Sequence, residues 1–381
     1  MASQKWFKRN IFLLSWLLLV LPASSLIPIN VLPKGIPQIK TIPSQAATGD
    51  IIANFLSAND NLDGPQLSAI NSTSADWWYF DVVSPDLLTS LTITFFTALD
   101  SSFPFLPPSS NVDVVGIFYS FPNGTYDVIF IYASAAIVTT DVNGSSGKYV
   151  GAGASWSGSS DLSRYEISID SPENGISGTF TLDTLAPAHY PCGPATAGQN
   201  MMVAPHTGWA NAMPDAVGTV NFTILGSEMG FEGVAYHDKN WMDQPFQQNV
   251  ASWYWGHGRL GPYSIVWFDT MGLDGREWVS AYASENGEIV FSSCEASSLS
   301  VRPSGGDDQY PPSVTGGDPT GFTIWMDLGD AGALDVNVMI EAVAADGGPG
   351  YKRWTGSMEG RVCCGPLMKG GVAVLEQFKL V

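Results

Sequence analysis

Hydrophobic and polar residues alternate over short stretches along most of this chain, as they do in half-buried β-strands. The pattern predicts strands at 76–83, 90–99, 112–121, 126–132, 149–157, 165–169 and 178–185, with turn sequences between them. A long loop is predicted over residues 186–214. A second set of strands is predicted at 218–225, 231–237, 251–260, 263–269, 277–283, 289–293, 322–328, 334–343, 354–361 and 370–378. No stretch combines a helical period with the length of a helix, so the pattern predicts an all-β protein.

The composition favours the same fold class. Charged residues make up only 14% of the chain, against about 25% in ordinary soluble proteins. The 40 glycines and 25 prolines favour short strands and tight turns over helices. A chain of 381 residues is long enough for two domains. We predict an extended lead-in over 26–61, an N-terminal β-sandwich or barrel over 62–244 and a C-terminal β-barrel over 245–381.

The first 25 residues have the layout of a secretory signal peptide. Lys5, Lys8 and Arg9 precede the apolar stretch 11–21, and small residues follow at 22–25. Such a short stretch cannot span a bilayer core, which favours a cleaved signal over a short anchor, and we expect no membrane contact in the mature form. Loss of three basic residues takes the formal charge from -20 to -23, and an acidic surface of this kind repels nucleic acid. Glycosylation in a secreted or lumenal protein is predicted at four sequons, Asn71, Asn123, Asn143 and Asn221.

Four cysteines occur, and an even number in an oxidising compartment predicts two disulfides. Adjacent cysteines rarely bond to each other. We therefore expect Cys363 and Cys364 each to bond to one of Cys192 and Cys294, in an order that the sequence leaves open. A zinc site that uses His189 and Cys192 is disfavoured, because the spacing matches no established zinc pattern.

The stretch 231–269 concentrates aromatic side chains and histidines. If 252–260 is a strand, one of its faces carries Trp253, Trp255, His257 and Arg259. Indole rings supply contact area, and the imidazole and guanidinium nitrogens supply hydrogen-bond donors, so this face suits a flat, apolar ligand with a few oxygens. The alternative is a buried, tryptophan-rich sheet in which the histidine is a hydrogen-bonded core residue.

Other candidate residues lie on neighbouring predicted strands. Trp77 and Tyr79 share one face of the first strand, where they either bind substrate or pack in the core. His237 and Asp238 point to opposite faces unless the strand ends there, so one of the two is expected to be structural. The remaining candidate substrate-binding residues are Trp241, Tyr263 and Arg353, although Arg353 also fits a solvated strand end.

Four blocks of the sequence resemble the hydroxyneurosporene synthase-like proteins, and especially the fungal lipocalin-like Diels–Alderases. These blocks are 76–81 (DWWYFD), 235–241 (AYHDKNW), 261–263 (GPY) and 371–376 (GVAVLE). The resemblance implies two lipocalin-like β-barrel or sandwich modules, a substrate pocket at their junction and no metal or organic cofactor. The secretory features differ from the members that close decalin rings and are similar to the branch linked to tropolone sesquiterpenoid biosynthesis.

For that branch, the resemblance implies a cofactor-free pericyclase that uses small apolar substrates. A tropolone o-quinone methide, formed by dehydration, would add to a humulene-type sesquiterpene in an intermolecular hetero-Diels–Alder reaction. Holding two apolar partners together can remove about 7–11 kcal/mol of the barrier. His257 and Arg259 are the expected donors to the heterodiene oxygen, and His237 with Asp238, or His257, is the expected acid for the departing hydroxyl. The alternatives are a terpenoid hydratase or dehydratase and a lipocalin-like carrier without activity.

Overall fold

A computed structural model of the chain describes residues 37–58 and 62–381, so the predicted signal peptide lies outside the described residues. Nearly all regular structure in these ranges is extended. Three short 3₁₀ helices lie at Pro172–Asn174, Phe246–Gln248 and Gly329–Ala331. The strands form two curled, antiparallel sheets, and the protein is therefore all-β, as the alternation predicts.

The first sheet has 15 strands. They are β1 (Gln38–Pro43), β2 (Ala75–Val83), β3 (Ser90–Ala98), β4 (Asp113–Ser120), β5 (Tyr126–Tyr132), β6 (Ala135–Asp141), β7 (Gly144–Val150), β8 (Ala154–Ser159), β9 (Arg164–Ser171), β10 (Ile176–Thr184), β11 (His189–Tyr190), β12 (Gly193–Pro194), β13 (Met202–Ala204), β14 (Thr207–Ile224) and β15 (Ser227–Met242). The main path runs in the order β1-β6-β7-β8-β9-β10-β14-β15-β2-β3-β4-β5. The short strands β11 and β13 attach to β14, and β12 pairs with β11.

The second sheet has nine strands. They are β16 (Val250–Leu260), β17 (Tyr263–Gly272), β18 (Glu277–Glu285), β19 (Glu288–Ser293), β20 (Leu299–Gly306), β21 (Pro319–Asp327), β22 (Ala333–Asp346), β23 (Tyr351–Val362) and β24 (Met368–Lys379). Their order is β19-β18-β17-β16-β24-β23-β22-β21-β20. The tryptophan-rich strand β16 is therefore interior, between β17 and β24. The division into modules at 62–244 and 245–381 stays a prediction.

Pairing between β2 and β15 brings the sequence blocks 76–81 and 235–241 side by side. Asp238 lies opposite Tyr79, and Asn240 lies opposite Trp77. Opposite residues in an antiparallel pair project from the same face of the sheet. The four side chains therefore share one face, although they come from distant parts of the sequence.

Buried residues form three hydrophobic cores, and neighbouring residues on one strand belong to different cores. Trp77 packs in the core between the two sheets, whereas Trp78 packs against the other face of the first sheet. In the second sheet, Trp253 faces the core between the sheets and Tyr254 faces away from it. Both arrangements follow from the two-residue period of a strand.

Several predicted element boundaries are wrong. Residues 149–157 form two strands, β7 and β8, because the chain turns at Gly153, whose positive φ of 68° favours glycine. Strand β14 begins at Thr207 and shortens the predicted loop 186–214. Strand β6 was not predicted, and β1 lies inside the predicted lead-in, where it pairs with β6.

The predicted disulfide pairing is also wrong. Cys192 is bonded to Cys294, with 4.9 Å between their Cα atoms. The reason is the packing of the β11–β12 segment beside β18 and β19, where Ser280 Oγ donates a hydrogen bond to the carbonyl oxygen of Pro191. Cys363 and Cys364 lie exposed in the turn after β23 and carry free thiols in the part of the chain described.

The four predicted glycosylation sites differ in their exposure to solvent. Three sequon asparagines, Asn123, Asn143 and Asn221, are exposed, whereas Asn71 is half-buried. Among the described residues, none of the helices has the length and apolar character needed to cross a bilayer. Glycosylation at the four sequons stays a prediction.

Candidate functional site

A cavity lies between the two sheets and has about 930 Å³ of open space, including the part that meets solvent. The first sheet contributes Trp77, Tyr79, Thr94, Phe96, Phe118, Val128, Phe130, Asp238 and Asn240. The second sheet and its turns contribute Trp253, Trp255, Asp346, Gly347, Tyr351, Arg353, Glu376 and Phe378, and two connecting segments contribute Phe103, Phe105, Leu106 and Phe246. More than half of these residues are aromatic, and the pocket at the junction that the resemblance implies is present.

Strand alternation explains which predicted site residues reach the cavity. Trp253 and Trp255 are two residues apart on β16 and both line it. Trp77 and Tyr79 do the same on β2, and their rings lie against the aromatic wall, with Trp77 5.0 Å from Phe103 between ring centroids. The indole-rich face that the sequence predicts therefore borders open space. The substrate-binding roles of these residues stay predictions.

Asp238 places a deeply buried carboxyl group in the cavity wall. Its side chain is 2% exposed. Oδ2 accepts hydrogen bonds from Trp209 Nε1 at 2.7 Å and from Tyr236 Oη at 2.8 Å. Burial raises the pKa of Asp238 to about 7, although the two hydrogen bonds favour the carboxylate and lower it. A substantial fraction of Asp238 is therefore a neutral carboxylic acid near pH 7, which can donate a proton inside the cavity.

Asn240 lies beside Asp238 on the same face of β15. Its Nδ2 donates a hydrogen bond to Asp238 Oδ1 at 2.9 Å, and this bond fixes the orientation of the amide. Within residues 37–58 and 62–381, Asn240 Oδ1 has no hydrogen-bond partner, although the residue is only 4% exposed. A buried oxygen of this kind can accept a hydrogen bond from a ligand.

Arg353 gives the cavity a buried positive charge. Its Nε and Nη2 donate to Glu376 Oε2 at 3.1 and 2.9 Å, and the same oxygen accepts from Tyr351 Oη at 2.9 Å. Burial raises the pKa of Glu376, while Arg353 acts to lower it. The guanidinium lies 4.9 Å from the ring centroid of Tyr79. In the described part of the chain, Arg353 Nη1 has no acceptor, so one donor remains for a ligand.

His257 lies behind the cavity wall and outside its lining. Its Nε2 lies 3.0 Å from both carboxylate oxygens of Asp81, and Asp81 accepts a 2.6 Å hydrogen bond from Tyr79 Oη. The imidazole stacks on the ring of Tyr236 with 4.4 Å between centroids. His257 therefore holds Asp81 in position, and through Asp81 it supports Tyr79, which lines the cavity.

His237 and Trp241 lie on the opposite face of β15 from Asp238 and Asn240. His237 is fully buried, stacks on Phe80 at 3.9 Å between centroids and lies 3.2 Å from Asp63. Trp241 donates its Nε1 hydrogen to the carbonyl oxygen of Asn54. The physical reason is the strand period, which separates even-numbered from odd-numbered residues of β15. Of the pair His237 and Asp238, His237 is thus the one in the structural core.

Arg259 and Tyr263 lie near the β16–β17 turn and do not line the cavity. Arg259 forms a two-pronged ion pair with Asp215, with distances of 2.8 and 2.6 Å, and this carboxylate also accepts a hydrogen bond from Ser264. Tyr263 packs at the edge of the core that contains Tyr254, on the face of the second sheet away from the cavity. Arg259, His257 and His237 do not line the cavity, and their catalytic roles stay predictions.

Sequence reasoning missed two groups of cavity residues. One group is polar and consists of Asn240 and Glu376. Both lie in blocks that carry the family resemblance, 235–241 and 371–376, and this position could have marked them as candidates. The other consists of aromatic residues such as Phe103 and Phe246, which lie in connecting segments without a periodic pattern.

The arrangement can bind a flat, apolar molecule, donate a proton to it and donate a hydrogen bond to its oxygen. The aromatic rings supply contact area and can stabilise a developing positive charge. In the residues that the structure describes, no three His, Cys, Asp or Glu side chains are grouped so that they could hold a metal ion.

Comparisons with known proteins agree with this geometry. A family model described as Diels-Alderase-like matches residues 36–341. The chain is 36% identical over 357 residues to the quinolone epoxide rearrangement protein penF of Penicillium thymicola, covering 91% of this chain and 97% of the relative. It is 37% identical over 294 residues to the quinolone epoxide rearrangement protein asqO of Emericella nidulans, covering 75% and 79%. The crystal structure of CghA with Sch210972 has a similar fold, with a TM-score of 0.74, 17% identity and coverage of 90% of this chain and 98% of CghA.

Proposed function

Since the chain belongs to the Diels-Alderase-like family, we propose that it is a small-molecule enzyme that rearranges an epoxide, with Asp238 as the general acid. The observation that carries the proposal is a carboxyl group with a pKa of about 7 in a cavity walled mainly by aromatic rings. Two relatives named for quinolone epoxide rearrangement support the reaction type. The proposed substrate is an apolar epoxide attached to a quinolone-like ring.

The proposed reaction is an isomerisation in which one proton is lent and returned. Asp238 donates its proton to the epoxide oxygen while the C–O bond breaks toward the carbon that better supports positive charge. The faces of Trp77, Trp253 and Trp255 stabilise that charge through cation–π attraction. A bond then migrates, or an internal oxygen attacks the cation, and the proton released in this step returns to the Asp238 carboxylate. Atoms and electrons balance without an oxidant or reductant.

Arg353 would orient the substrate in this proposal. Its Nη1 can donate a hydrogen bond to a ring carbonyl, while Glu376 balances its charge at 2.9 Å. This balance matters because an uncompensated guanidinium would repel the cation that forms when the epoxide opens.

A second candidate is the hetero-Diels–Alder reaction between a tropolone o-quinone methide and a humulene-type alkene. The aromatic walls favour it, because this reaction needs two apolar partners held in contact. Asp238 would protonate the departing hydroxyl, and Arg353 would donate to the heterodiene oxygen. The family description fits either reaction.

The two reactions are separated by incubating the purified protein with two substrate sets. A quinolone carrying a side-chain epoxide should give a product of unchanged mass with a single stereochemistry. A hydroxymethyl tropolone with humulene should instead give an adduct that has lost one water, if the second candidate holds. A product that has gained oxygen from ¹⁸O-labelled water would indicate a hydratase. Quenching of tryptophan fluorescence without turnover of either set would indicate a carrier, and would overturn both catalytic proposals.

We also propose that the protein works in the secretory pathway. The proposal is supported by the signal-like residues 1–25 and by the exposed sequons at Asn123, Asn143 and Asn221. Protein isolated from its native cells should lose mass on treatment with an N-glycosidase and should begin near residue 26. An intact N-terminus without glycans would contradict it.

A further inference from the structure

Residues 186–194 link the two sheets, and the proposed reaction does not use them. Their strand β11 pairs with β14 of the first sheet at His189. The second sheet holds the same segment by two other bonds. Ser280 Oγ on β18 donates a hydrogen bond to the carbonyl oxygen of the residue before Cys192, at 2.6 Å, and Cys192 itself is bonded to Cys294, just after β19. The position of His189 therefore depends on both sheets.

The imidazole of His189 contacts an aromatic ring from each sheet. It stacks on Tyr282 of the second sheet, with 3.9 Å between ring centroids and 11° between the planes. It meets Trp209 of the first sheet edge-on, with 5.1 Å between centroids and 79° between the planes. The residue is fully buried, and its two ring nitrogens lie 2.9 Å from the carbonyl oxygen of Tyr190 and 2.9 Å from Asn211 Oδ1. The imidazole is therefore held in one orientation.

Trp209 connects this imidazole to the proposed acid. Its Nε1 donates a hydrogen bond to Asp238 Oδ2 at 2.7 Å. Its ring contacts are with His189 and with Phe268, at 5.1 Å between centroids in each case. An indole can turn about its side-chain bonds, so the direction of its N–H depends on the rings packed against it. A hydrogen bond weakens steeply when its angle becomes poor, so loss of support from His189 should weaken the bond to Asp238.

Several other groups also influence the Asp238 carboxyl. The titratable side chains that act on it or lie opposite it are Tyr236 and His237 on its own strand, Tyr79 on β2 and Glu376 on β24. Burial raises the pKa of Asp238, the hydrogen bonds from Trp209 and Tyr236 lower it, His237 lowers it and Glu376 raises it. Of these two hydrogen-bond donors, Trp209 is the one whose ring contacts His189. A change at His189 should therefore reach the acid through Trp209.

We propose that His189 is a positioning residue for the general acid, because it aims the N–H of Trp209 at Asp238. The Cys192–Cys294 disulfide keeps His189 in place by tethering its segment to the second sheet. The inference rests on the proposed function for the identity of the acid. Loss of the imidazole, or reduction of the disulfide, should weaken a bond that favours the carboxylate, so Asp238 should stay protonated to higher pH.

The test measures the pKa of Asp238 without a substrate, from the infrared band of its protonated carboxyl, which Asp238→Asn removes. Trp209→Phe deletes the donor and should raise this pKa by about one to two pH units. His189→Ala leaves the donor but removes its support, and should raise the pKa by at least about half a pH unit. His189→Phe keeps a flat ring between Tyr282 and Trp209, so its effect should be less than about half that of His189→Ala.

Trp156→Phe is the matched control, because it removes a buried indole N–H from the other face of the same sheet. It should change the pKa of Asp238 by less than about 0.2 pH unit. Reduction of the disulfide in the wild-type protein with dithiothreitol should raise the pKa in the same direction as His189→Ala. Reduction of the His189→Ala protein should add little, because the two changes act through one contact.

An unchanged pKa in His189→Ala, alongside the expected rise in Trp209→Phe, would overturn the role of His189 and leave Asp238 as the proposed acid. Equal rises in His189→Ala and His189→Phe would also overturn it, since the ring would then not be the support. If His189→Ala does not fold, the absence of a rise on reduction of the wild-type protein overturns the proposal.

The dependence of kcat/KM on pH tests the proposed function separately. If its alkaline limb does not follow the infrared pKa across these variants, Asp238 is not the acid of the reaction. The positioning of Trp209 by His189 would still be supported in that case, because the infrared measurement uses no substrate.

Discussion

The hydrogen bond from Tyr236 to Asp238 provides a test of the proposed acid that leaves the acid itself in place. Tyr236→Phe removes a donor that stabilises the carboxylate form of Asp238 at 2.8 Å. The pKa of Asp238, already raised to about 7 by burial, should therefore rise further. Because the protonated form is the active one, the enzyme should stay active to higher pH.

The size of the shift follows from the strength of the lost bond. Hydrogen bonds to charged groups are worth about 1.5–3 kcal/mol, and one pKa unit corresponds to about 1.36 kcal/mol, so the shift should be about one to two units. The alkaline limb of the profile of kcat/KM against pH should move from about 7 to about 8 or 9. The substitution keeps the ring that stacks on His257 at 4.4 Å and contacts Trp255 at 5.2 Å, so the cavity wall should remain.

The assay is the initial rate of product formation between pH 5 and 9.5, for the wild-type protein and for Tyr236→Phe. Circular dichroism at both ends of the range controls for unfolding. An alkaline limb that stays in place, or that moves to lower pH, would refute the assignment of that limb to Asp238.

Two further predictions concern stability. Asp113 is fully buried, and burial raises its pKa to about 7; its stabilising contribution is therefore fully present below about pH 3.8 and is lost as the pH rises through 7. Asp113→Asn should raise the free energy of unfolding by about 3 kcal/mol more at pH 8 than at pH 5; equal effects at both pH values would contradict this. Replacing both Cys192 and Cys294 by serine opens a disulfide that spans 102 residues and should cost about 4–5 kcal/mol, measured by urea unfolding. The same change at Cys363 and Cys364 should have little effect, and a large loss there would refute the pairing.

The cavity-facing side chains of strand β16 could be predicted from the sequence, because the residues that share a face of a strand follow from their spacing within that strand. The two-residue period alone places Trp253 and Trp255 on one face. The same period on β15 puts Trp241 with His237 and away from Asp238, so its position in the core was available from the sequence as well.

Contacts between distant strands could not be predicted in this way. His257 shares the face of Trp255, but Asp81 from the other sheet accepts a hydrogen bond from its imidazole and Tyr236 stacks on it, and it does not line the cavity. Arg259 likewise forms an ion pair with a residue distant in sequence, Asp215, and does not line the cavity. Periodicity indicates the face on which a side chain projects, whereas its partner depends on how the two sheets pack.

The disulfide illustrates the same limit. Composition and compartment predicted an even pairing of four cysteines, but the bond between Cys192 and Cys294 depends on the packing of the β11–β12 segment against the second sheet. The raised pKa of Asp238 is likewise a consequence of burial, which the local sequence does not determine.

The central claim is that Asp238 acts as the acid in the cavity, and its most direct test is the single-turnover rate of Asp238→Asn with the quinolone epoxide. Asparagine can still accept the hydrogen bonds from Trp209 and Tyr236, and its new Nδ2 can donate to Asn240 Oδ1 once the Asn240 amide turns over, so every buried group keeps a partner and the fold should be kept. Asp113→Asn is the matched control, since it removes a buried carboxyl with a similarly raised pKa from the opposite face of the same sheet. The rate should fall by about 10²–10⁴ for Asp238→Asn and stay near the wild-type value for the control. A rate for Asp238→Asn within about threefold of wild type would contradict the account.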